Sequence, residues 1–183
     1  RKSDLSTNFI SQFFPKKKVA LLFWGITRSL KHTYPSIISN ILKVLETNRI
    51  SFDIFMHTYY VDNYNNIRAG EKTTNMDNTQ HDLLPYRSIL IDSDKKVRQM
   101  LNLPDYHSKK DFFQNNYNTT DNSILAFYSK KRLVSLMEKT KDEYDYAIFI
   151  RPDCSYYQPL PLKNVSMVRK QKIVVPNFHL TKG

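Results

Sequence analysis

The sequence predicts an α/β domain built on a mostly parallel sheet flanked by helices. Three observations predict it: an unbroken apolar run at residues 19–24 that stops at Gly25, a helical apolar stripe at residues 34–45, and a short apolar run at residues 52–57. A run that is apolar at every position is the pattern of a strand buried on both faces. In the stripe, Tyr34, Ile37, Ile38, Ile41, Leu42 and Leu45 keep the i, i+3, i+4 spacing of a helix with one buried side. Strand, helix, strand is the repeating unit of a parallel sheet, because parallel neighbours need a crossover between them.

The remaining elements extend that pattern. Thr33 before Pro35 gives the first helix its start, with proline in the opening turn. Residues 59–85 are polar, asparagine-rich and contain Gly70, so a long surface excursion is expected there. Residues 88–91 read as a third strand. Ser93 then caps a helix that turns Val97, Met100 and Leu101 inward. After an irregular stretch at 103–118, Asp121 opens a strong helix whose buried side is marked by Ile124, Leu125, Tyr128, Leu133, Leu136 and Met137. The run Ser129-Lys130-Lys131-Arg132 within it reads as a wet face from which one cation could reach a diphosphate. Residues 146–150 form another buried strand, ending in Arg151-Pro152-Asp153, and residues 173–175 a last strand before Pro176.

A length of 183 residues favours one domain, and 40% hydrophobic with 13% aromatic residues supplies a core. The reading is a basic, aromatic extension at 1–17 followed by a nucleotide-binding domain at 18–183. No run approaches the roughly 18–20 apolar residues of a membrane span. The single cysteine, Cys154, excludes an internal disulfide, and no Cys/His cluster has zinc spacing. One free thiol and no visible leader point to the cytoplasm, and the sequons at Asn118 and Asn164 do not decide the compartment. The net charge of +11 sits at the ends: residues 1–35 carry seven Lys or Arg against one acid, residues 163–183 five against none, and the middle balances. Solvated termini, rather than a specific nucleic-acid face, account for that distribution. A basic nucleic-acid-binding α/β domain is the less favoured alternative.

Ligands of open parallel sheets bind beyond the carboxyl ends of the strands, which singles out the strand endings for chemistry. Gly25 permits close backbone approach, and Arg28 offers a fork for a phosphate. Neither a Gly-x-Gly-x-x-Gly nor a P-loop pattern accompanies them. Asp153, just past a buried strand, is placed to hold a divalent cation beside a diphosphate, and Arg151 either pairs with it or meets a phosphate. His57 at a strand end reads first as a satisfied structural histidine, and Asp53 and Asp62 are treated alike.

Together, KVALLFWGITRSLKHTYPSIISNIL, FDIFMHTYY and SILAFYSKKRLVSLMEKTKDEYDYAIFIRPDCSYYQPLPL resemble a family of GT-A type sugar-nucleotide glycosyltransferases, with members in large DNA viruses and bacteria. The resemblance runs from about Lys18 to Pro176 and rests on the order and spacing of its motifs. It implies a GT-A-like nucleotide-sugar-binding fold. The implied activity is hexosyl or deoxyhexosyl transfer from a nucleoside diphosphate sugar to a hydroxyl of a glycan or glycoprotein, in the cytoplasm of a virus-infected host cell. It also implies Mn²⁺ or Mg²⁺, held by Asp153 at the position of an Asp-x-Asp motif whose first acid is here Arg151. Arg28 and Arg151 would serve the diphosphate, and the backbone around Phe23, Trp24 and Gly25 would border base and ribose. No residue is assigned as general base. Relatives continue past the last strand, so a C-terminal part carrying the acceptor side is expected beyond Gly183. A nucleotide-sugar binding module without turnover is the alternative.

Overall fold

The structure, a computed structural model, describes residues 17–66, 70–166 and 168. The strand expected at 173–175 and nearly all of the extension expected at 1–17 lie outside the described residues. The chain forms an α/β fold around a four-stranded sheet of order β5-β2-β1-β6, where β1 is Lys18–Trp24, β2 Ser51–Tyr60, β5 Ser88–Ser93 and β6 Tyr146–Ile150. All three pairings are parallel, with Leu21 opposite Ile54 and Ile148.

The continuous apolar run of β1 is explained by its central place, since side chains on both faces must be covered. Leu21 and Phe23 pack on one face with Ile54, Met56 and Ile150, under a helical segment comprising α1 (Leu30–Ile37), a π-helical stretch (Ile38–Leu42) and α2 (Lys43–Thr47). Ala20 and Leu22 face the other way, with Phe55 and Leu133, under α4 (Asn118–Glu138). Each large side chain taken from water here contributes roughly 1.5–3 kcal/mol. The first crossover thus covers one face and the β5-to-β6 crossover the other. The strand order runs from β1 through β2 to β5 on one side and then adds β6 on the other side of β1, a reversal at which open parallel sheets offer a crevice beyond their carboxyl ends.

Several local expectations are corrected. The first helix begins at Leu30, one turn before Thr33, so Pro35 lies inside it. Thr33 is buried, and its hydroxyl donates across the fold to the Pro152 carbonyl. The 59–85 excursion is partly ordered, with β2 running on to Tyr60, a hairpin of β3 (Asn63–Asn66) and β4 (Glu71–Thr74), and a 3₁₀ turn at Gln80–Leu83. The stretch at 103–118 holds a 3₁₀ turn, Leu103–Tyr106, and a loop gathered around Asp111, whose carboxylate accepts from the amides of Phe113, Asn115 and Tyr117. Ser93 does cap α3 (Asp94–Leu101), accepting from Lys96 N at 3.4 Å, and Val97 is buried, but Met100 is 62% exposed. The short α5, Leu162–Ser166, seats Leu162 in the core beneath the first crossover.

At the opposite end of the sheet, Asp53 accepts from Lys18 at 2.7 Å, Arg87 at 2.7 Å and Tyr144 at 2.6 Å. Burial alone would raise its pKa, but the hydrogen bonds from Lys18, Tyr144 and Arg87 outweigh that and lower it to about 2. Asp53 is a structural ion cluster remote from the crevice. Among the described residues no helix is long and apolar enough to cross a membrane.

Candidate functional site

The crevice is built from the ends of β1 and β6. β1 breaks at Gly25, whose φ of +99° is one that residues with a Cβ rarely adopt. Its amide donates both to the His57 carbonyl and to Ser129 Oγ, each at 3.2 Å. That geometry turns the chain outward and carries Arg28 over the rim. β6 is followed by Arg151, whose backbone is held from both sides by the Tyr156 hydroxyl: the Arg151 amide donates to it and the Arg151 carbonyl accepts from it, at 3.1 Å each. Tyr156 is in turn fixed to the first helix through Ser36 Oγ and Asn40 Nδ2.

The two endings meet at Asp153. Arg151 grips its carboxylate with two bonds, Nε to Oδ1 at 2.8 Å and Nη2 to Oδ2 at 2.6 Å, and Arg28 Nη2 approaches Oδ2 to 3.5 Å. The Asp153 side chain is 3% exposed, whereas that of Arg151 is 45% exposed. Arg28 lies over the Tyr64 ring at 4.3 Å, and Trp24 carries Lys130 at 4.3 Å and Arg151 at 5.2 Å from its ring centre. Desolvation, with the neighbouring Arg151 charge adding to it, lowers the Lys130 pKa. One buried carboxylate among three cations leaves the rim positive, an arrangement that attracts a multiply charged anion.

The same arrangement does not suit a divalent cation. Mn²⁺ and Mg²⁺ seek free carboxylate oxygens, and here both oxygens of Asp153 are occupied by guanidinium groups. Among the described residues no three Asp, Glu, His or Cys side chains gather elsewhere to hold a metal.

Five residues expected at the site therefore lie along one rim: Trp24, Gly25, Arg28, Arg151 and Asp153. Phe23, also expected there, does not line the cleft, and its side chain is buried in the core. His57 is buried and fully bonded. Ser129 Oγ, already accepting from Gly25, donates to Nδ1 at 2.7 Å, and Nε2 donates to Asp92 Oδ2 at 3.1 Å. Burial lowers its pKa against the opposing hydrogen bond to Asp92, so the ring is the neutral Nε2–H tautomer. Asp92 also accepts from Tyr128 and Arg132, both at 3.1 Å. With Ser129 and His57 each at 0% exposure, this Ser-His-Asp chain is sealed from substrate and locks the β1 turn to β2, β5 and α4.

Sequence reasoning allowed one cation of the 129–132 run to reach a diphosphate without saying which, and it missed the buried roles of Ser129 and Gln80. A rotation of 100° per residue turns the basic run of α4 through the interior, so Ser129 is buried, Lys131 exposed, and Lys130 and Arg132 flank them on opposite sides. Gln80 is buried in the excursion; its Oε1 accepts from Lys31 N and its Nε2 donates to the Arg28 carbonyl, both at 3.1 Å. An isolated glutamine in a polar loop gives no signal of that role.

Above the rim lies an open cleft of about 770 Å³ that runs from Trp24, Arg28 and Arg151 to the first turns of α4. Both sequon asparagines lie in helices, Asn118 in the wall of this cleft and Asn164 in α5. Comparison with family models, curated proteins and solved structures gives no significant match.

Proposed function

We propose that this cleft binds a nucleoside diphosphate sugar and that the chain is the donor-binding part of a glycosyltransferase of GT-A type. The observation that carries the reading is the convergence of Arg28 and Arg151 on the cleft at the ends of β1 and β6, with Lys130 beside them over Trp24. Ligands of open parallel sheets bind at such a reversal of strand order, and guanidinium forks match phosphate oxygens. In the reaction, the acceptor hydroxyl oxygen bonds to the anomeric carbon as the carbon–oxygen bond to the diphosphate breaks. The bonding pair leaves with the diphosphate, and the hydroxyl proton passes to a base. Negative charge grows on the leaving group, so cations fixed beside it stabilise the transition state more than the ground state. Arg151 and Arg28 do this directly, with Asp153 as their clamp rather than as a metal ligand.

A thermal-shift and product-release screen of nucleotide sugars tests the proposal. One donor should raise the melting temperature, and release of its diphosphate should persist in EDTA and fall in Arg151→Ala. No stabilisation by any nucleotide sugar would overturn it. The replacement of an acid by Arg151 favours a second reading, a binding module without turnover, which binding with no product release would support.

A further inference from the structure

The far half of the cleft differs in chemistry from its cationic rim. It is walled by Asn63 at the start of β3, Asn115 in the loop ahead of α4, and Asn118, Asn122 and Ser123 on the first turns of α4. The charged residues there are paired with one another: Arg98 bonds to Asp94 at 2.7 Å and approaches Asp121 at 3.8 Å, and Asp121 also meets His107 Nε2 at 2.7 Å. Asn115 is committed to Thr119, donating to its hydroxyl at 2.7 Å, and Asn118 donates to the Asn115 carbonyl at 3.0 Å. Asn118 keeps its carbonyl oxygen, and Asn63 and Asn122, both exposed, keep the whole amide for a ligand.

We propose that this asparagine-lined half, through Asn63, Asn118 and Asn122, is a subsite for an uncharged, polyhydroxylated group, the glycosyl unit of the ligand. A side-chain amide both donates and accepts, as a sugar hydroxyl does, so neighbouring amides suit neighbouring hydroxyls where a phosphate would find no charge. The two halves are continuous: Trp24, Arg28 and Arg151 of the rim line one cleft with Asn63, Asn118 and Asn122, so a diphosphate at the rim and the sugar it carries share it.

This inference rests on the reading of the rim as a diphosphate site, and one titration separates the two. Calorimetry compares a free nucleoside diphosphate with its hexose conjugate on the unaltered chain, on Asn63→Ala/Asn122→Ala and on Arg28→Ala. The conjugate should bind the unaltered chain more tightly than the free diphosphate. The double asparagine variant should lose about tenfold of that advantage, the worth of one or two neutral hydrogen bonds, with affinity for the free diphosphate unchanged. Arg28→Ala should weaken both ligands alike. If the free diphosphate does not bind the unaltered chain, the reading of the rim fails, and the subsite falls with it. If it binds but the conjugate gains nothing, or the double variant leaves the gain intact, the subsite alone is overturned. An equal loss for both ligands in the double variant would place the nucleoside at the asparagines, and would also overturn it.

Discussion

At the scale of single residues, the decisive arrangement is Asp153 between Arg151 and Arg28. A carboxylate that accepts two bonds from one guanidinium and lies near another holds both cations in place while cancelling one of them. Asp153→Asn should therefore leave diphosphate affinity equal or higher at low salt, with no change on adding Mn²⁺. A metal dependence present in the unaltered chain and lost in that variant would restore Asp153 as a ligand. Arg28→Ala removes a charge-assisted contact worth roughly 1.5–3 kcal/mol, so affinity for a nucleoside diphosphate should fall about ten- to hundredfold while that for the free nucleoside stays level. Which residue types gather at the strand ends was legible in the sequence, because Gly25, Arg28 and Asp153 follow apolar runs. Pairing of Arg151 with Asp153 was one of two readings the sequence left open; that Arg28 would join them was not legible, because the meeting depends on a turn fixed from afar by Tyr156 and Thr33.

At the scale of elements, α4 ties the sheet to the site. Its Ser129 joins the Gly25 amide to His57, and its Tyr128 and Arg132 hold Asp92. His57→Ala would leave Asp92 and Ser129 short of partners and open a cavity, at a cost of about 2–4 kcal/mol in stability by chemical denaturation. Two pH windows follow. The His57 pKa is lowered in the fold, so the unfolded chain binds its proton first, and stability should fall as pH drops below 6.5. Asp53, lowered from 3.8 to about 2, contributes stability that is full above 3.8 and lost as pH falls toward 2. Melting temperatures measured from pH 7 to 2 should show both declines, and Asp53→Asn should remove most of the second. The four strands of the main sheet and the helices between them were legible from apolar runs and periodicity, whereas the β3–β4 pair was not. The inward turn of Ser129 was not, since a polar residue heading a basic run looks solvated until the helix is placed against β2.

At the scale of the whole molecule, the strand order places the site. With β5 and β2 on one side of β1 and β6 on the other, the strand order reverses between β1 and β6, and the carboxyl ends beside that reversal carry the rim. Periodicity showed that parallel strands alternate with helices, but the sequence carried no mark of which edge of β1 receives β6, because both edges of a strand present the same backbone N–H and C=O groups. The net charge of +11 bears less on the account than the few cations at that junction, since its excess lies in terminal residues. Trp24 is the single tryptophan of the chain and sits beneath Lys130 and Arg151, so its fluorescence reports directly on the rim. Titration of that emission with a nucleoside diphosphate should give a saturable change that the free nucleoside does not produce and that vanishes in Arg28→Ala/Arg151→Ala. An equal response to both ligands, or a response to the diphosphate that survives loss of both arginines, would contradict the central claim.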